Sequence, residues 1–261
     1  MSEPLPERAV RDRRARVRAA AAADPRVPAD VVRVLAGDPS PVVRRALAGR
    51  REDLPDVFAL LAWDADAQTR EAVAGNPFCP PGVLASLVDD PVDLVRWEIP
   101  RADLDAAVVS AIVGSPDVTL RRLMAETANP EAQRRLAADD SAAVRGGAAL
   151  TTRDEPLLAR LVGDPSAEVR SRAAQNPHLV PAQRHALAND RSASVRRSLI
   201  QAGGVDPDDF DALAGDRSAD VRWWLAAVPE SPAHILRRLT TDADDEVAGQ
   251  ARAMLRGGGR R

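Results

Sequence analysis

The sequence predicts an all-α protein, an α-solenoid of about ten two-helix repeats of 24–26 residues each. Three observations predict it. A short phrase recurs along the whole chain, proline and glycine divide each copy into two stretches, and apolar residues sit at helical spacing within them. Self-similarity at a fixed period of this length marks a stacked repeat architecture.

The phrase is Asp, five residues, Arg. It reads DPSPVVR at Asp38–Arg44, DADAQTR at Asp64–Arg70 and DPVDLVR at Asp90–Arg96. SPDVTLR follows at Ser115–Arg121, DDSAAVR at Asp139–Arg145 and DPSAEVR at Asp164–Arg170. DRSASVR at Asp190–Arg196 and DRSADVR at Asp216–Arg222 complete the clear set. A first copy fits at Asp12–Arg18, and a last at Asp242, where Ala248 stands in place of the Arg. Residues 1–11 then read as an N-terminal cap segment, 12–255 as a single repeat domain and 256–261 as a flexible tail.

Residues 28–50 show how one copy is built. The spacing predicts a first helix from near Pro28, with Val32, Leu35 and Ala36 on one face and Gly37 ending it. Asp38 is expected to cap the second helix, with Pro39 in its first position. Val43 and Leu47, four apart, are its core residues. Their counterparts are Val95/Ile99, Leu120/Met124, Val195/Leu199 and Val221/Leu225. One copy cannot bury its apolar face alone, so the copies must stack. The polar last copy suits a terminal cap.

The composition, 45% apolar and 29% charged in 261 residues, is that of an ordered globular chain. No stretch approaches the roughly 20 apolar residues of a membrane span. The N-terminal apolar run, Ala19 to Ala23, is too short for a signal-peptide core, so a cytoplasmic location is expected. A single cysteine, Cys79, excludes an internal disulfide, a cysteine-ligated iron–sulfur cluster and a multi-cysteine zinc site. All 36 basic residues are Arg, a bias common in high-GC bacteria. The net charge of −3 is uneven: residues 1–51 hold 12 Arg against 6 acidic residues. A globally basic nucleic-acid binder is thereby disfavoured, while a basic N-terminal end remains.

The unit ANPxxPxxxLxxLxxDPxxxVRxxxA, best kept at 74–96 and 174–196, resembles the leucine-rich repeat variant family and, more distantly, HEAT repeats. Asn76-Pro77, Asn129-Pro130 and Asn176-Pro177 carry its Asn-Pro element. The resemblance covers roughly residues 12–255. It implies a right-handed superhelix that alternates α-helices with shorter, 3₁₀-like ones. The family's founding member also carries a cysteine-ligated iron–sulfur module, for which this chain lacks the cysteines. Repeat families of this kind mostly bind proteins, and some HEAT-like members bind DNA.

Two rows of residues are candidates for function. The first is the Arg row itself, Arg18 to Arg222. It would either grip phosphates or acidic peptides, or pair structurally with the Asp or the last-turn carbonyls of a neighbouring copy; the structural role is favoured. The second row lies one residue further on. A helical wheel turns it about 160–200° from the core pair, so it should face solvent on the concave side. It holds Arg45, Trp97, Arg122, Arg197 and Trp223, a mixture typical of interaction hot spots. Local twist could instead bury the two rings. Trp63 is either a further exposed aromatic or a plug in the turn, and Trp224 falls on the core flank. Glu98 sits near an otherwise apolar face.

Chemistry has little support. His178, His185 and His234 lie in different contexts without a catalytic His–Asp or His–Cys spacing, and no third metal ligand accompanies them. Cys79, in the rigid NPFCPP turn, reads as a bystander thiol. No catalytic residue, metal or cofactor is expected. The leading expectation is a non-enzymatic scaffold that binds a protein or peptide through Arg45, Trp97, Arg122, Arg197 and Trp223. The alternative is nucleic-acid binding, with the Arg rows on phosphates and Trp stacked on bases. The irregular 24–26-residue spacing argues for a natural sequence over an engineered array.

Overall fold

The computed structural model describes residues 9–101 and 103–258, so the expected cap segment and tail fall largely outside the described residues. Among those residues the protein is all helical, with nineteen α-helices and one 3₁₀ turn. The second, Arg-bearing helices are α1 (Ala15–Ala23), α3 (Pro41–Ala48), α5 (Ala67–Ala74), α7 (Asp93–Trp97) and α9 (Val118–Ala125). They continue as α11 (Ala142–Thr151), α13 (Ala167–Ala173), α15 (Ala193–Gln201), α17 (Ala219–Ala227) and α19 (Asp245–Gly258). Between them lie the first helices: α2 (Ala29–Leu35), α4 (Pro55–Leu61), α6 (Pro81–Leu87), α8 (Ala106–Gly114) and α10 (Pro130–Leu136). α12 (Glu155–Val162), α14 (Pro181–Ala188), α16 (Phe210–Ala214) and α18 (Ala233–Leu239) complete the set.

The first helices are α-helical in place of the 3₁₀-like turns that the resemblance implies. The one 3₁₀ helix among the described residues, Pro207–Asp209, runs directly into α16. The chain divides into two compact units at Arg121/Arg122, within α9. In the first unit α1 packs on α3, α3 on α5, α5 on α7, and α6 on α8. In the second, α11, α13, α15, α17 and α19 pack consecutively, with α12 on α14 and α16 on α18. This succession is a repeat solenoid.

Each core pair expected from the sequence is buried. Val43/Leu47, Val95/Ile99, Leu120/Met124, Val195/Leu199 and Val221/Leu225 are all at most 1% exposed. Such side chains contribute about 1.5–3 kcal/mol apiece on burial, and isolated helices of this length would be marginal in water without them.

The second helices begin two residues later than the sequence suggests. The N-cap of α3 is Ser40, with Pro41 at the first position, where its missing N–H costs nothing. Asp38 turns its side chain elsewhere: its Oδ1 accepts from Ser40 N at 2.8 Å in an Asx turn. The same turn recurs at Asp64, Asp90, Asp139, Asp164, Asp190, Asp216 and Asp242. Serine caps such as Ser40 make no side-chain cap bond, whereas Asp66 accepts from Thr69 N. The Asp is therefore not a helix cap, and its remaining acceptor sites are free for another partner.

Candidate functional site

That partner is an Arg of the preceding copy. In the first unit Arg18 Nε meets Asp38 at 2.7 Å, Arg44 meets Asp64 at 2.5 Å and Arg70 meets Asp90 at 2.6 Å. In the second, Arg145 meets Asp164 at 2.8 Å, Arg170 meets Asp190 at 2.6 Å, Arg196 meets Asp216 at 2.5 Å and Arg222 meets Asp242 at 2.7 Å. Each pair is a two-pronged fork, Nε and Nη2 on the two carboxylate oxygens, the geometry that suits a guanidinium. Nη1 meanwhile donates to the carbonyl of the Asp in its own copy, as Arg44 does to Asp38 O at 2.7 Å. One side chain thus ties the start of its own helix to the start of the next.

The fifth copy has Ser115 where the Asp should be, and Arg96 still finds a partner in it. Arg96 reaches Asp117 instead, at 2.8 Å, and Asp117 also accepts from Thr119 N and Leu120 N at the start of α9. Charge and hydrogen bonding set the ladder's acidity. Guanidinium bonds hold the carboxyls of Asp38, Asp64 and Asp242 below their ordinary 3.8. Burial is the largest influence at Asp90, Asp164 and Asp190 and works against ionisation, but the Arg bond, the Asx-turn N–H bond and the charges of nearby Arg side chains together outweigh it, and these carboxyls are lowered as well.

A second row of bonds runs at the far ends of the second helices, where the last carbonyls need donors. Arg50 Nη1 donates to Ala22 O and Asp24 O. Asn76 Nδ2 donates to Ala48 O and Arg50 O, and Arg101 to Ala74 O and Asn76 O. Asn176 Nδ2 donates to Ala149 O and Thr152 O. The Asn of the Asn-Pro element is thus a buried strut between copies. Sequence reasoning missed this row, although Arg50, Asn76 and Arg101 stand at repeat spacing.

The row one residue past the Arg does not project freely into solvent. Arg45, Arg122, Arg197 and Trp223 are partly buried, and Gly146 is fully so. The cause for Arg45, Arg197 and Trp223 is that their helices are covered by the next second helix, while Arg122 pairs with Glu126 four residues on. Arg45 pairs with Asp66 at 3.1 Å, Arg197 with Asp220 at 3.3 Å and Arg122 with Glu126 at 2.7 Å. Trp97 is the most open of the predicted residues, at 36% exposed, and its Nε1 donates to Asp117 Oδ2 at 3.2 Å. Trp223 rests edge-on against Trp224, ring centres 5.1 Å apart, and both rings are half-buried. Arg45 and Trp97 belong to the first unit; Arg122, Arg197 and Trp223 belong to the second.

Other side chains are more open than the predicted row. Trp63 is 79% exposed at the end of α4, an open aromatic and no plug. Val34, Val42, Leu60, Phe78, Leu94 and Val118 join it and Trp97 as the large exposed apolar residues among those described, and all eight belong to the first unit. Glu98 is exposed at the end of α7, away from the apolar face expected for it. Cys79 is buried, which pushes its thiol up to about 12.

The structure forms one His–carboxylate pair that spacing did not disclose: His185 Nδ1 lies 2.7 Å from Asp209 Oδ1, from α14 to the 3₁₀ turn. Among the described residues no group of three or more His, Cys, Asp or Glu is placed to hold a metal, and no helix is long and apolar enough to cross a membrane.

No family model matches the chain, and no curated protein matches it. Among solved structures it is similar to a leucine-rich repeat variant with a novel repetitive structural motif. That match has 20% identity and a TM-score of 0.58, over 84% of this chain and 88% of the other. At that identity the likeness is one of fold, and the chain has the leucine-rich repeat variant fold. Two designed armadillo repeat proteins also align, each at 18% identity. One covers 85% of this chain and 96% of its own at a TM-score of 0.22. The other, in complex with the peptide (KR)4, covers 98% and 99% at 0.19. These scores are too low to bear on the present fold.

Proposed function

We propose that the protein is a non-enzymatic scaffold that binds a protein or peptide partner along its second helices. Trp97 is the principal anchor with Arg45 in the first unit, and Arg122, Arg197 and Trp223 contribute in the second. The observation that carries this reading is the gathering, among the described residues, of all eight large exposed apolar side chains in the first unit. Val42, Leu94 and Trp97 among them stand on second helices. Open apolar and aromatic anchors beside partly satisfied Arg side chains are what protein interfaces use.

The same geometry disfavours nucleic acid as the partner. The ladder Arg side chains are paired and largely covered, and Arg45, Arg122 and Arg197 have carboxylates of their own. Phosphate would have to displace those carboxylates one by one.

The test is affinity capture from the native lysate with and without nuclease, on wild type, Trp97→Ala and Trp223→Ala. A partner that survives nuclease and is lost with Trp97→Ala, at unchanged thermal stability, supports the scaffold. Capture abolished by nuclease or moderate salt overturns it in favour of nucleic acid.

A further inference from the structure

We infer that a cleft between α13 and the turn after α15 is a binding site for a guanidinium group, such as the side chain of an arginine. The proposal is independent of the partner surface above.

It starts from a missing donor in the second row of bonds. In that row a side chain donates to carbonyls 24 to 28 residues earlier: Arg50 to Ala22 and Asp24, Asn76 to Ala48 and Arg50, Asn176 to Ala149 and Thr152. The residue 28 after Ala174 and 26 after Asn176 is Ala202, which has no side-chain donor. The Ala174 carbonyl finds no donor among the described residues, and the Asn176 carbonyl has only the long 3.4 Å contact from Leu179 N.

The space that a longer side chain would occupy is open. A cleft of about 480 Å³ is lined there by Ala174, Asn176, Leu179, Arg184, Ala202 and Asp206. The local backbone keeps it open. Gly203 takes φ +68°, and Gly204 N returns to Leu199 O at 3.0 Å, closing α15 with a left-handed turn. A Cβ on Gly204 would lie 2.7 Å from Leu199 Cδ1, so that segment cannot carry a side chain to fill the gap without a shift. Val228, the next position in the row, also lacks a donor, but there the Ile200 carbonyl already accepts from Gly203 N.

The chemistry favours a guanidinium. Two carbonyls at the end of a helix sit where the field is negative, and Arg50 and Arg101 show that a guanidinium answers this pair of acceptors elsewhere in the fold. The cation on the wall is already engaged: Arg184 Nε pairs with Asp206 at 2.9 Å and Nη1 donates to Leu179 O at 2.6 Å. Gln175 supplies a further polar group to the wall.

The test uses the full chain and three probes followed by amide NMR: Nα-acetyl-argininamide, acetyl-Gly-Arg-Gly-amide and Nα-acetyl-norleucinamide. Saturable shifts confined to 174–179 and 202–206 are expected with both arginine probes and absent with norleucine. A dissociation constant on the order of 1 mM suits a single side chain. Tighter binding of the tripeptide would mark a peptide as the source, and equal binding the free amino acid. Ala202→Arg should restore the row from within, raise Tm by about 2 °C and abolish the shifts. If that variant fails to fold, Ala202→Asn, which copies the struts at Asn76 and Asn176, takes its place. Absent or scattered shifts with wild type, or shifts that persist undiminished in a folded Ala202 variant, overturn the proposal.

Discussion

Arg170 ties Asp190 to Asp164. Its Nε and Nη2 grip Asp190 of the next copy at 2.6 and 3.0 Å, while Nη1 donates to Asp164 O of its own copy at 2.7 Å. Both side chains are less than 10% exposed. Removing one partner strands the other in a place water barely reaches. Arg170→Ala should therefore cost about 3–5 kcal/mol, read from urea unfolding. Arg170→Lys should recover only part of that, because an ammonium cannot make the fork and the carbonyl bond together. A loss below about 1 kcal/mol would make the ladder ornamental.

Acid should loosen the ladder. In the folded protein Asp38, Asp64, Asp90, Asp164, Asp190 and Asp242 are held below their ordinary 3.8. The unfolded chain therefore takes up protons first as pH falls. The stabilisation is complete above about pH 5 and is lost as pH drops through 3.8 toward the folded values. Urea midpoints should be level from pH 7 to 5 and fall steeply toward pH 3. A midpoint at pH 3 equal to that at pH 6 contradicts the assignment.

Two glycines should respond in opposite senses. A Cβ on Gly147 would meet Arg122 O at 3.0 Å and Ala125 Cβ at 3.2 Å, so Gly147→Ala crowds α11 against α9 and costs about 1–3 kcal/mol. Gly249, within α19, has nothing within 4 Å of its added Cβ, so Gly249→Ala should gain about 0.8 kcal/mol of helix propensity. Thermal melts of the two variants decide it.

Cys79 should be inert until the protein opens. Buried, with its thiol pushed up to about 12, it offers almost no thiolate at pH 8. Labelling with a thiol reagent should track urea unfolding, and rapid labelling of the native protein would show that the first unit opens locally.

Acrylamide should find one tryptophan before the others. Trp63 is 79% exposed, while Trp223 and Trp224 shelter each other. Trp63→Phe should remove the most readily quenched part of the emission. Unchanged quenching would move that exposure to another ring.

The repeat period, the helix pairs and the core pairs such as Val43/Leu47 were legible in the sequence, because burial imposes a helical period on apolar residues. The pairing of Arg with a neighbouring Asp was legible for the same reason: two opposite charges recur at fixed spacing beside a buried face. The helix start was misplaced because Asp and Ser are both good caps, and only the fold shows that Asp38 is committed to an Asx turn and Arg18. The row of Arg45 and Arg197 looked solvent-facing on a single-helix wheel, and of its members only Trp97 is exposed. A wheel knows nothing of the next helix, whose start brings Asp66 and Asp220 against Arg45 and Arg197. His185 and Asp209 met for the same reason, from 24 residues apart.

The ladder has a direction. Every ladder fork described above points from an Arg to an Asp later in the chain, and Asp242 receives the last of them from Arg222, while Ala248 carries no guanidinium to send onward. A segment cut out at one point in the phrase and reinserted at the same point in another copy keeps every donor facing an acceptor. Duplicating residues 165–190, for example, would place a new Asp ahead of Arg170 and a new Arg ahead of Arg196. An insertion of any other phase leaves an Arg and an Asp stranded. The protein is in this sense a tape that can be lengthened by whole copies, and unequal recombination between its own near-identical phrases would be tolerated only in register.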